Sequence, residues 1–198
     1  PYKQKRRTRG SIAREKGLEP LAEAIFAQDG RDPQALALDY IDPEKGVNTA
    51  EEALQGANDI IAENLSDDAD IRKALRQLVM RRGTFTCKAA EDAEEDGVYR
   101  LYYDFCQPIP RLLDHQILAI NRGEKEGILK PAVTLTGNEG AALVCRAALK
   151  PTAQVSAFVR TAAEDAYDRL IFPAIQREVR NELSDRAYAG AIANFALN

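Results

Sequence analysis

The sequence has no tryptophan, one histidine, one methionine and three cysteines. A zinc site needs several imidazole or thiolate ligands at set spacings. His115 stands alone, and Cys87, Cys106 and Cys145 are scattered, so neither a zinc site nor a disulfide framework is expected. Dispersed thiols of this kind suit a reducing cytoplasm. No apolar run approaches the roughly 20 residues of a membrane span, and no secretory signal pattern opens the chain. No glycine-rich, phosphate-cradling loop opens a helix. No nucleophile elbow accompanies His115, so a Ser-His or Cys-His arrangement lacks its second member. These absences argue against an enzyme, a resident metal or a cofactor. Lys and Arg number 27 against 31 Asp and Glu, a net charge of −4. That balance argues against one broad nucleic-acid-binding face and leaves room for local basic patches.

What is present reads as helix. Alanine dominates, while β-branched and aromatic residues are spread thinly. The chain opens on Lys3, Lys5, Arg6, Arg7 and Arg9 without an intervening acid, followed by Gly10. Residues 1–16 read as an exposed basic linker or arm, and the five cations as candidate phosphate contacts for weak nucleic-acid binding. Leu18, Leu21, Ala22, Ile25 and Phe26 then mark one helical face. Asp32 caps a helix with Pro33 at its first position. Thr49 and Glu52 form a capping box before a stripe from Ala53 to Leu65, with Gly56 inside it as the mark of a close helix crossing. Ser66 is expected to cap the next helix, which Gly83 stops.

Short strands are expected around 84–88 and 128–135, the second confined by Pro131 to a sheet edge. Between them lie an acidic run, Glu91, Asp92, Glu94, Glu95 and Asp96, and an aromatic group, Tyr99 to Phe105. The acids lack the glycine turn and alternating oxygens of a hard-ion site and read as a solvated helix face. The aromatics read as core. From Asn138 the chain returns to helix. A long helix from about Thr152 follows, then one started or kinked by Pro173, then a restart at Ser184. The expected fold is mainly α, a multi-helix array joined by short turns with one or two short strands.

Residues 115–127 hold the densest polar constellation. His115, Asn121, Arg122 and Glu124 sit beside apolar Ile117, Leu118 and Ile120. Asp114 is expected to cap this central helix, and Gly123 or Gly127 to end it. A polar cluster mixed with core residues implies side chains that tie the helix to a neighbour.

Several segments resemble the Tex family of bacterial transcription accessory proteins. They are Tyr2 to Arg9, Ala13 to Ala22, Tyr40 to Val47, Ala57 to Glu63, Leu118 to Gly127, Arg169 to Pro173 and Arg177 to Arg180. They follow one another in order along nearly the whole chain. The family form has an arginine after the histidine of the central helix; Gln116 stands there in this chain. The resemblance implies a piece of a longer protein, as the start at Pro1 also does. It further implies residues 17–198 as its helical scaffold, ahead of an RNase H-like domain and nucleic-acid-binding modules. The implied partners are nucleic acid, met mostly outside this chain, and the transcription machinery, with no membrane. Two other readings remain in view: a metal-dependent nucleic-acid-processing enzyme using the acidic run, and direct nonspecific RNA or DNA binding through the basic segment.

Overall fold

Thr8 and Ser11 close the first helix on themselves. The Thr8 hydroxyl accepts from the Ser11 N–H at 3.0 Å, and the Ser11 hydroxyl accepts from the Thr8 N–H at 2.8 Å. In a computed structural model, which describes residues 6–152 and 154–198, this box starts α1 (Arg9–Glu15). The chain divides into two units. One holds residues up to Arg72 with Glu139–Phe172, and the other holds Lys73–Asn138 with Pro173–Asn198.

In the first unit α4 (Ala50–Ser66) is the central element. Packed on it are α1, α2 (Glu19–Phe26), α3 (Pro33–Leu38) and α8 (Ala157–Ala166), and α7 (Glu139–Ala148) packs on α8. Leu18, Leu21, Ile25, Ala57, Ile60, Ile61, Val159 and Ala163 are buried there. Small residues set the spacing: a Cβ on Gly56 would run into the Leu18 side chain and sit 3.3 Å from the Ala13 Cβ. The close crossing expected at Gly56 is therefore present. Asp32 and Thr49 cap as expected, accepting from the N–H groups of Gln34 (3.2 Å) and Glu52 (3.1 Å). Glu52 reaches one residue further back than a capping box requires, to the Asn48 N–H at 2.8 Å.

A polar network crosses this unit. Asn58 donates to Asp165 at 3.2 Å, Arg169 holds Asp165 at 3.1 Å and lies 3.8 Å from Asp59, and Gln55 donates to Asp59 at 3.0 Å. Burial alone would raise the Asp165 carboxyl, but the bonds from Arg169 and Asn58 bring it below the usual carboxylate range. Gln28 adopts a left-handed backbone, φ 54°. Its amide is fully used: it donates to the Phe26 (3.1 Å) and Ala148 (2.9 Å) carbonyls and accepts from the Lys150 N–H at 3.0 Å.

The second unit contains a three-stranded antiparallel sheet, ordered β2-β1-β3, from β1 (Thr84–Ala89), β2 (Asp104–Pro108) and β3 (Leu129–Thr134). Around it are most of α5 (Ala69–Arg82), α6 (Asp114–Lys125) and α9 (Phe172–Leu197, from Pro173 onward). β1 is central, with Phe85 and Cys87 buried on one face. Burial pushes the Cys87 thiol up to about 11.

The mainly α class holds, and several finer expectations change. Residues 9–15 are not linker. Gly10 and Ala13 are small enough to seat α1 on α4, so an arm reading reaches no further than Arg7. β2 is a third strand. Its inward positions, Phe105 and polar Gln107, are only half-buried, which leaves no clear apolar alternation to read. Asp68, not Ser66, caps α5, accepting from the Asp70 (2.9 Å) and Ile71 (3.0 Å) N–H groups. The helix expected from Thr152 starts at Ala157 behind a Ser156 cap. Pro173 does stand at the start of a helix: α9 opens at Phe172, directly after a π-helical turn, Tyr167–Ile171, that periodicity did not announce. Ser184 restarts nothing and lies inside α9. The acidic run is exposed but sits on a loop, not a helix. Of the aromatics Tyr99 is buried, and Tyr102 packs edge-on to Phe105 with ring centroids 5.5 Å apart. Among the described residues no helix is long and apolar enough to cross a membrane.

Candidate functional site on the central helix

α6 begins behind Leu113, whose extended backbone turns the chain into the helix. The cap comes from Gln116, whose side-chain oxygen accepts from the Leu113 N–H at 3.0 Å. Asp114, expected as the cap, lies in the first turn instead. At the far end Gly127 takes a left-handed φ of 78°. The Gly127 N–H bonds to the Glu124 carbonyl (3.0 Å) and the Ile128 N–H to the Gly123 carbonyl (2.9 Å), the pairing of a Schellman stop. Gly123 remains inside the helix because a Cβ there would press into Leu129 of β3. Ile117, Ile120 and Gly123 make the buried face.

Three side chains of α9, spaced four apart, meet α6 and β3. Gln176 donates to the Val133 carbonyl at 2.7 Å. Arg180 holds Glu124 with a fork, 2.9 Å to one carboxylate oxygen and 3.4 Å to the other, and donates to the Asn121 side-chain oxygen at 2.9 Å. Ser184 accepts from the Asn121 amide at 2.9 Å. The Arg180 guanidinium also lies 5.5 Å from the centroid of the Phe85 ring, near enough for a cation–π contact. Further along the same helix Glu178 pairs with Arg76 of α5 at 3.1 Å. Pro131 has no N–H and Gln176 occupies the Val133 carbonyl, so β3 forms the expected sheet edge, blunted against strand addition.

Of the residues singled out from sequence, the structure brings Asn121 and Glu124 together on Arg180. It does not bring in His115 or Arg122, both of which are exposed. Lys3 and Lys5 lie outside the described residues. Arg6 is exposed, Arg7 pairs with Glu15 at 2.8 Å, and Arg9 opens α1. Arg180 was the residue missed as the hub. Its signal was the spacing of Gln176, Arg180 and Ser184, one helical face that a restart at Ser184 breaks.

The α6–α9 groove, about 720 Å³, is bounded by Asn121, Pro131, Arg177, Arg180, Ser184 and Tyr188. Within it Asn121 is bonded to both Arg180 and Ser184, and among the described residues no group of three or more His, Cys, Asp or Glu is placed to hold a metal ion. What this arrangement does chemically is hold one helix against another and against a strand.

Residues 28–195 match the family model described as Tex central region-like. The chain is 44% identical over 202 residues to the Bacillus subtilis protein named Uncharacterized protein YdcI, covering 100% of this chain and 28% of that protein. It is 46% identical over 136 residues to Protein tex of Bordetella pertussis, covering 68% of this chain and 17% of that protein. It is also similar to human S1 RNA-binding domain-containing protein 1, 28% identical over 216 residues, covering 100% of this chain and 21% of that protein. The chain thus spans less than a third of the length of each of these relatives.

Proposed function

The chain belongs to the Tex family, and from that premise we propose that it is a non-catalytic helical scaffold within a transcription accessory factor. In this reading the whole protein associates with nucleic acid in the cytoplasm, chiefly through parts other than this chain, and contacts the transcription machinery. The observation that carries the reading is the use to which the central polar residues are put. Asn121 and Glu124 are taken up by Arg180 and Ser184, so they brace α6 instead of facing a ligand. The name of the human relative, which includes an S1 RNA-binding domain, supports the nucleic-acid part, because this chain covers only 21% of that protein.

The test is a titration of the chain with fluorescent single-stranded RNA and duplex DNA over a range of salt. Lys3, Lys5, Arg6, Arg7 and Arg9 are the dense basic cluster. Each phosphate neutralised contributes roughly −0.9 to the slope of log K against log salt on duplex, so five cations give a slope no steeper than about −4.5. Binding is expected to be weak, indifferent to sequence, lost near physiological salt and lost on removing residues 1–7, a cut that spares the Thr8 cap. Tight, sequence-selective binding that survives salt and the truncation overturns the scaffold reading.

A further inference from the structure

The loop from Ala90 to Tyr103 is held by its backbone and one tyrosine. The Ala90 N–H bonds to the Ile128 carbonyl at 2.8 Å, Gly97 to Glu94 at 3.1 Å, and Ala89 to Tyr103 at 3.1 Å. The Tyr103 hydroxyl donates to the Glu94 carbonyl at 2.6 Å. A Cβ on Gly97 would collide with that hydroxyl, so the glycine is what lets the tyrosine close the loop. None of this uses the carboxylates. Glu91, Asp92, Glu94, Glu95 and Asp96 are exposed, and among the described residues none of them makes an ion pair or side-chain hydrogen bond.

Beside them runs a groove of about 520 Å³ lined by Asp92, Glu94, Val98, Tyr99, Tyr103 and Glu126, with no lysine or arginine in its wall. The Tyr99 ring is buried, and burial and the nearby Glu126 carboxylate push the phenol above its ordinary value. Arg100 and Arg122 are exposed and do not line the wall, and the charge of Arg122 acts on the Tyr99 phenol in the opposite sense. Two large apolar side chains in the same ordered segment face solvent: Val98 is 94% exposed and Leu101 80%. Solvation accounts for carboxylates on a loop. It does not account for Val98 and Leu101 displayed beside them, and exposed apolar surface rimmed by polar groups is what interaction sites present.

We propose that this groove is a docking surface for a basic protein segment that carries apolar side chains among its lysines or arginines. The cation enters over the tyrosines and faces the carboxylates of Asp92, Glu94 and Glu126, while the apolar side chains cover Val98 and Leu101. The charge of the wall selects the sign of the partner, and the exposed pair requires that it also be apolar. The proposal stands on this surface alone and does not depend on the scaffold reading.

The test uses this chain and a fluorescein-labelled peptide of lysine and leucine, with a lysine-only peptide of equal charge beside it, read by anisotropy at low and at physiological salt. The lysine–leucine peptide is expected to bind more tightly than the lysine-only one. Replacing Val98→Ser with Leu101→Ser is expected to weaken it about tenfold or more, as is Asp92→Asn with Glu94→Gln, a loss of one power of ten in the binding constant. Glu182→Gln with Asp185→Asn, exposed acids on α9, is expected to leave it unchanged. All these side chains face solvent, and circular dichroism checks that each variant folds. No binding, equal binding of the two peptides, or equal loss on changing the α9 acids overturns the proposal. So does sedimentation showing that this surface pairs two copies of the chain through Leu101.

Discussion

Arg180 on α9 grips Glu124 on α6 with both guanidinium nitrogens, at 2.9 and 3.4 Å, while donating to Asn121 one turn away at 2.9 Å. One side chain therefore satisfies two residues of the central helix and covers the Phe85 ring as well. Hydrogen bonds to charged groups contribute about 1.5–3 kcal/mol net, so Arg180→Ala is expected to destabilise by about 2–3 kcal/mol. Arg122 is exposed and outside the network, so Arg122→Ala is expected to stay within about 0.5 kcal/mol of the parent. Urea unfolding followed by circular dichroism separates the two. Equal effects contradict this arrangement.

The glycines test packing. Gly56 faces Leu18 and Ala13, and Gly123 faces Leu129. Gly56→Leu forces a side chain where no space exists and is expected to cost about 1–3 kcal/mol, as overpacked sites do. Gly123→Ala is expected to destabilise although alanine favours helix, because the Leu129 side chain must move. A stabilised Gly123→Ala protein would show that the helix tolerates the methyl group.

Acid should loosen the first unit through Asp165. Its carboxyl lies below its ordinary value in the folded chain, owing to Arg169 and Asn58 acting against burial. A depressed folded value means a contribution fully present above the unfolded value of about 3.9 and lost as pH falls through the folded one. Asp165→Asn is therefore expected to be less stable than the parent at neutral pH, with the difference shrinking below about pH 4. A gap between the two melting temperatures that is constant with pH contradicts the assignment.

Thiol chemistry should sort by burial. Cys106 is exposed on β2, whereas Cys87 and Cys145 are buried and burial raises both thiols. Iodoacetamide at neutral pH is expected to alkylate Cys106 first and the other two only after unfolding, because the thiolate is the nucleophile. Mass spectrometry of partial reaction products reads the order. Early labelling of Cys87 would place it outside the core.

Periodicity and caps carried much of the fold. The stripe from Ala53 to Leu65, the caps Asp32 and Thr49, and Pro131 at a sheet edge were legible because each rests on residues near in sequence. β2 was harder to read, since Asp104–Pro108 is an exposed strand whose identity depends on pairing with β1. The first helix was hidden by its charge: Thr8, Gly10 and Ala13 fix it, but they look like linker until α4 is beside them. In the central cluster Asn121 and Glu124 stood out as polar residues on a half-apolar helix. Their partner could not be assigned from local sequence because Arg180 lies 56 residues from Glu124, although its spacing with Gln176 and Ser184 marked a polar helical face. Pro173 was legible for a local reason: proline suits the first turn of a helix, and α9 opens at Phe172, though nothing in the sequence announced the π-turn before it.

The most direct test of the scaffold reading is the nucleic-acid affinity of the Arg180→Ala chain at low salt, set against that of the parent. If Arg180 braces helices and the basic arm makes the phosphate contacts, affinity for RNA and duplex DNA stays the same while stability falls. A loss of affinity of about tenfold or more with stability unchanged would make the α6–α9 groove a binding surface and contradict the account.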